Sequence, residues 1–213
     1  MLNVCEIYLS IQGESSYSGL PCIFIRLSGC NLNCSWCDSR FHMDIQQEMS
    51  IEEIIEAIAE YKPVKLVEIT GGEPLLQEDT PKLIEILGQI GYMILLETNG
   101  SLSIAKIPTN VVNIMDVKCP SSGYQNSFLR ENIIYLDPQK DELKFVIADR
   151  KDYDFACEFI MYNNLWSYNI LFSSVLSRLE PRQLVEWIIA DRLSVRFQLQ
   201  MHKYIWDTDQ RGV

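Results

Sequence analysis

The chain has 213 residues, 47% hydrophobic and 22% charged, an ordinary composition for a globular domain long enough to bury a core. Its net charge of −11 at pH 7 argues against a nucleic-acid groove and against binding to an anionic membrane surface, since both call for cationic side chains. No apolar run is long enough to span a bilayer, and the N-terminal segment lacks the basic flank and apolar stretch of a signal peptide, so a cytoplasmic protein is expected.

In chain order, residues 4–10 and 22–28 read as strands joined by a glycine-containing loop. A helix is expected from about Ser50, which forms a capping box with Glu53 ahead of Ile51, Ile54, Ile55 and Ile58 at helical spacing. Residues 64–70 form an apolar β-branched run ending at Gly71 and Gly72. Thr80 reads as the cap of a second helix with Pro81 at its first position and Leu83, Ile84, Leu87 and Ile90 as its stripe. Residues 92–98, 111–117 and 142–148 read as strands, 152–163 as a helix and 169–174 as a strand. Pro181 opens a helix bearing Leu184, Val185 and Ile188, and 194–200 reads as a last strand. Apolar strands alternating with helices imply parallel pairing and right-handed crossovers. Several joins lack a helix. The expected fold is therefore an α/β incomplete TIM-like barrel of parallel strands with outer helices. With no repeat, low-complexity segment or linker, 1–213 reads as a single domain. Functional groups in such folds gather at the C-terminal ends of strands.

The seven cysteines are Cys5, Cys22, Cys30, Cys34, Cys37, Cys119 and Cys157, an odd count that does not suit a disulfide framework. Three of them crowd into residues 30–37. Thiolates are soft ligands that select iron–sulfur clusters, zinc or cuprous copper. Three thiolates on one loop can hold three irons of a [4Fe-4S] cubane and leave the fourth iron open to a substrate or cofactor. A structural zinc site needs a fourth ligand, for which Cys22, Cys119 and His42 are candidates, and an electron-transfer ferredoxin needs a fourth cysteine. Cys119 follows a strand end and reads best as a small buried hydrophobe.

The spacing of Cys30, Cys34 and Cys37 resembles the radical S-adenosylmethionine superfamily, and Thr70-Gly71-Gly72-Glu73-Pro74 resembles that superfamily's second motif. Further strings narrow the likeness: Ile11-Gln12-Gly13-Glu14, Cys37-Asp38-Ser39, Glu97-Thr98-Asn99-Gly100, Asp116-Val117-Lys118, His202-Lys203-Tyr204 and Arg211-Gly212-Val213. Together they resemble the 7-carboxy-7-deazaguanine synthase family of the queuosine precursor pathway, over nearly the whole chain.

That resemblance implies a [4Fe-4S] cluster on Cys30, Cys34 and Cys37, with S-adenosylmethionine on its open iron and Mg²⁺ at Ser39. It implies ring contraction of 6-carboxy-5,6,7,8-tetrahydropterin to 7-carboxy-7-deazaguanine with loss of ammonia. The three cysteines and Glu14 would be the catalytic set. S-adenosylmethionine contacts would come from Trp36, Asp38, Gly72, Asp116, Val117, Lys118, Ser173, Ser174, Val175 and Leu176, although many relatives carry a Gln-Pro pair near that last stretch. The pterin would meet Ile11, Gln12, Gly13, Glu14, Arg26, Thr70, His202 and the terminal carboxylate of Val213. An electron donor of flavodoxin or ferredoxin type and a homodimer are also implied. A radical activase of a glycyl-radical enzyme shares the cysteine loop, and a non-catalytic zinc-binding module is the alternative from another class.

Overall fold

The computed structural model describes residues 1–43, 47–207 and 210–212. The strands are β1 (Leu2–Ile11), β2 (Pro21–Leu27), β3 (Gln47–Met49), β4 (Leu66–Gly71), β5 (Met93–Thr98), β6 (Val112–Asp116), β7 (Glu142–Ile147), β8 (Asn169–Ser174) and β9 (Arg196–Phe197). The helices are α1 (Ile51–Ala59), α2 (Thr80–Gln89), α3 (Arg150–Tyr162), α4 (Pro181–Ala190) and the short α5 (His202–Ile205).

All nine strands form one sheet in the order β3-β1-β2-β4-β5-β6-β7-β8-β9. From β2 to β9 every neighbouring pair is parallel. Among the described residues the end strands β3 and β9 do not pair with one another, so the sheet is open, as expected of an incomplete barrel. The expected parallel pairing fails at the start of the chain, where β1 runs antiparallel to both β2 and β3. The link of residues 12–20 is too short for a crossover, and a short link forces an antiparallel pair. As anticipated, β5 and β6 are joined without a helix, and β6 reaches β7 through 3₁₀ turns alone.

Strand alternation sorts side chains into two environments. On the outer face Ile25, Val67, Ile69 and Leu96 pack against Ile51, Ile54 and Ile58 of α1 and Leu83, Ile84 and Leu87 of α2. Further round, Phe145 and Phe172 meet edge to face at 5.6 Å, in a core shared with Tyr153, Phe159, Leu184 and Ile188. The inner face has an apolar lower layer containing Tyr8, Cys22, Phe24, Leu95 and Ile114. Above that layer, Arg26, Glu68, Thr70, Glu97, Asp116 and Lys144 all border one cavity.

Local signals hold at α1, where Ser50 Oγ accepts from Glu53 N at 3.1 Å and Glu53 Oε2 accepts from Ser50 N at 2.7 Å. They slip by one residue at α2. Its cap is Asp79, whose carboxylate makes no capping bond and pairs with the N-terminal ammonium at 2.7 Å; Thr80 is already helical. The final strand is far shorter than residues 194–200, with only Arg196 and Phe197 pairing to β8. Among the described residues no helix is long and apolar enough to cross a membrane.

Candidate active site

At the C-terminal ends of the strands lies a cavity of about 1210 Å³. The cysteine loop forms one wall, because β2 ends at Leu27 and the chain turns at Gly29, with φ of +88°. The end of β4 presses against this turn. A Cβ on Gly72 would stand 2.0 Å from Gly29 O and 2.7 Å from Cys30 Cβ, and one on Gly71 would stand 2.1 Å from Leu27 O. Only glycine permits backbones that close. The approach is fixed by hydrogen bonds from Gly72 N to Leu27 O (3.2 Å) and from Glu73 N to Gly29 O (2.8 Å).

Glu73 then ties this corner to β5. Its buried carboxylate accepts from Thr98 Oγ1 at 2.8 Å, Asn99 N at 2.7 Å and Leu75 N at 3.1 Å. Asn99 in turn donates to Asn31 Oδ1 at 3.1 Å, beside Cys30. Beyond Cys34 the loop is held by Ser35 N donating to Ser122 O, Trp36 Nε1 to Ser121 Oγ at 3.0 Å, and Arg40 Nη2 to Ser35 O at 3.0 Å. Lys118 pairs with Asp116 at 2.6 Å, and its ammonium lies 5.3 Å from the Trp36 ring centre.

Cys30, Cys34 and Cys37 are free thiols that border the cavity. Burial pushes the Cys30 and Cys34 thiols above their ordinary range, and the Lys118 ammonium opposes this. Among the described residues no three Cys, His, Asp or Glu side chains converge as ligands of a single metal ion. A set of three soft thiolates spread along a loop suits a cluster, in which each iron takes its own thiolate. The donor set therefore fits an iron–sulfur group. Ser39 borders the same space, with Oγ 3.9 Å from Cys37 Sγ.

The opposite wall carries the expected pterin contacts. Arg26 is half-buried, in register with Thr70, and donates Nε–H to Glu6 Oε1 at 2.8 Å and Nη2–H to the Tyr8 hydroxyl at 2.9 Å. Gln12 is buried; its amide donates to Glu68 and its oxygen accepts from Glu14 N at 2.8 Å. Glu14 pairs with Lys144 and accepts from Gln200 Nε2 at 2.7 Å. Lys144 also pairs with Glu97 at 2.6 Å, and Glu97 accepts from the Thr70 hydroxyl at 3.3 Å. The C-terminal segment closes over this wall, with Met201 N donating to Gly13 O at 3.0 Å and Lys203 pairing with Asp38 at 2.8 Å. A Cβ on Gly13 would stand 2.6 Å from His202 Nδ1. Burial holds the His202 imidazole below its ordinary pKa, against the pull of the Glu14 carboxylate.

Cys30, Cys34, Trp36, Cys37, Asp38, Ser39, Gly72, Asp116, Lys118, Val175 and Leu176 all border the cavity, as do Ile11, Gln12, Gly13, Glu14, Arg26, Thr70 and His202. Val117, Ser173 and Ser174 are not on its wall. Val117 is fully buried on the helix side of the sheet, its N–H on Lys144 O, and both serines are buried within β8. Val213 lies outside the described residues. Sequence reasoning missed Glu68 and Lys144 and gave Glu97 no role. Each is a charged residue inside an otherwise apolar strand, and such a charge must be paired or neutralised. Of the unassigned cysteines, Cys5, Cys22 and Cys119 are buried and Cys157 is half-buried.

Comparison with known proteins accords with this geometry. Residues 24–114 match the Radical SAM superfamily. The 7-carboxy-7-deazaguanine synthase of Koribacter versatilis is 44% identical, with both chains covered in full. That of Chlorobaculum tepidum is 42% identical, covering 100% of this chain and 97% of the relative. The crystal structure of QueE from Escherichia coli superposes with a TM-score of 0.77 over 92% of this chain and 93% of that one, at 22% identity, which is a likeness of fold.

Proposed function

The chain belongs to the 7-carboxy-7-deazaguanine synthase family, and from that premise we propose that its cavity carries out the ring contraction of 6-carboxy-5,6,7,8-tetrahydropterin to 7-carboxy-7-deazaguanine, with release of ammonia. The observation that carries this reading is the cavity's polarity. Three free thiols stand at one wall, and a guanidinium with amide and carboxylate groups at the other. Radical SAM membership implies a [4Fe-4S] cluster and S-adenosylmethionine, which when bound supply hydrogen-atom abstraction.

Cys30, Cys34 and Cys37 would hold the cluster as thiolates. Trp36, Asp38, Gly72, Asp116 and Lys118, with Val175 and Leu176, would border S-adenosylmethionine. Arg26, clamped by Glu6 and Tyr8, presents a fixed planar donor array for the substrate carboxylate. Gln12, Glu14 and His202 offer acceptors and donors for the pterin edge, and Ile11, Gly13 and Thr70 shape its seat. The Ser39 hydroxyl is the candidate ligand for Mg²⁺, a hard ion suited to oxygen donors. The C-terminal segment, docked through Met201 and Lys203, supplies His202 and Trp206 to the cavity wall. An electron donor of flavodoxin or ferredoxin type, a homodimer and a cytoplasmic setting complete the proposal. The full-length match to the synthases favours this reading over a glycyl-radical activase or a zinc module.

The test is turnover. Anaerobically reconstituted protein with dithionite, S-adenosylmethionine and 6-carboxytetrahydropterin should yield a product with the mass and ultraviolet spectrum of 7-carboxy-7-deazaguanine. Release of 5′-deoxyadenosine without that product would sink the substrate assignment and leave the radical reading in place.

A further inference from the structure

Lys144 is a charged residue in the middle of β7, only 4% exposed. Its neighbours Leu143 and Phe145 point into the helix-side core, so alternation sends Lys144 to the inner face, where it borders the cavity. Its ammonium pairs with two carboxylates that come from distant parts of the chain, Glu14 of the loop after β1 and Glu97 of β5. Glu14 has a further contact with Gln200, Glu97 has further contacts with Thr70 and the Glu68 carboxyl, and both border the cavity. A buried ammonium is costly unless paired, and removing it leaves buried carboxylates uncompensated.

The remaining charges nearby are otherwise engaged. Glu68 of β4 takes the Gln12 amide; burial, with Glu97 and Glu14 adding to it, pushes its carboxyl well above the usual range. Asp116 of β6, in register with Lys144, is held by Lys118. Glu142, two residues back along β7, accepts from Ser16 N at 2.9 Å. Lys203 of the tail is bound to Asp38 of the cysteine loop, and His202 beside it is half-buried against Gly13. One ammonium is thus matched by two carboxylates.

Building on the pterin reading above, we propose that Lys144 is a positioning residue, which holds Glu14 and Glu97 together at the cavity wall as the paired acceptors for the N–H donors of the substrate's pyrimidine edge. A pterin offers several adjacent N–H donors, and an array of acceptors at fixed spacing recognises such an edge better than a single mobile acid.

The test uses 6-carboxypterin, the fluorescent oxidised analogue, titrated into the reconstituted protein without reductant at about pH 6.5, where the pterin keeps its ring N–H. Lys144→Met should weaken binding roughly ten- to hundredfold. Lys144→Arg should recover most of the affinity. The analogue 6-carboxylumazine, with a carbonyl in place of the 2-amino group, should bind the wild type more weakly than 6-carboxypterin, and Lys144→Met should lose most of that discrimination. The double variant Lys144→Met/Glu97→Gln removes one stranded charge and guards against loss of folding; it should bind 6-carboxypterin no better than Lys144→Met. Wild-type affinity in Lys144→Met, or a loss that is equal for both ligands and that Arg does not restore, would overturn the proposal. Failure of the wild-type protein to bind 6-carboxypterin would instead remove the pterin reading on which it rests.

Discussion

Gly72→Ala probes how the cysteine loop is set against the sheet. The new methyl would lie 2.0 Å from Gly29 O, and Cβ contacts under 3.0 Å are essentially never seen, so backbones must part by at least about 1.0 Å. The obstacle is backbone, which cannot swing aside like the end of a side chain. Overpacking of this kind costs about 1–3 kcal/mol. In a chain of this size that lowers Tm by roughly 2–12 °C. The displaced atoms include Cys30 Cβ, 2.7 Å from the added methyl, so one cluster ligand moves as well. Thermal unfolding followed by circular dichroism, with iron and sulfide content after anaerobic reconstitution, should show a lower Tm and incomplete cluster loading. An unchanged Tm with full loading would refute the claim that this glycine contact sets the loop.

Other substitutions test separate joints. Ser50→Ala removes the capping box of α1, far from the cavity, and should lower Tm by roughly 2–4 °C while leaving cluster loading untouched. Gly13→Ala pushes on the His202 ring at 2.6 Å and on its backbone N at 3.2 Å, so the start of α5 must shift slightly; a small fall in Tm with a raised KM for the pterin is expected. Glu68→Gln bears on pH-dependent stability. Burial raises the Glu68 carboxyl in the folded state, so the unfolded chain sheds its proton first and stability falls as pH rises through that interval. The variant should therefore gain stability over wild type at pH 8 compared with pH 4, as read by urea unfolding, and an equal gain at both pH values would contradict the assignment. A tag after Val213 should depress turnover more than one before Met1 if the terminal carboxylate reaches the substrate.

What the sequence revealed and what it hid follow from the range of the interactions. The Ser50–Glu53 box is legible because both partners lie within one helical turn. Strand positions are legible because the apolar runs are continuous. Strand direction is not, since alternation is the same either way; β1 turns antiparallel only because its link to β2 is short. The cap of α2 went to Asp79 in place of Thr80, where the pairing of Asp79 with the N-terminus is a contact between distant parts of the chain. At the site, the cysteine loop and the glycine pair announce themselves through spacing. Lys144 and Glu68 were visible only as charges interrupting apolar strands, and Glu97 only as part of a string that carried no role. Which acid meets which base depends on strand order and register, and Glu14 reaches Lys144 across the whole inner face. The serines of β8 show the converse: Ser173 and Ser174 look available in the sequence and are buried within the strand, while the wall is reached by Val175 and Leu176.

The proposed cluster on Cys30, Cys34 and Cys37, with its fourth iron open, is tested by electron paramagnetic resonance of the reduced, reconstituted protein, recorded with and without S-adenosylmethionine. About four irons per chain and a [4Fe-4S] signal that shifts when S-adenosylmethionine is added are expected, with both lost in Cys34→Ala. A protein that binds zinc in place of iron, or a signal indifferent to S-adenosylmethionine, would contradict it.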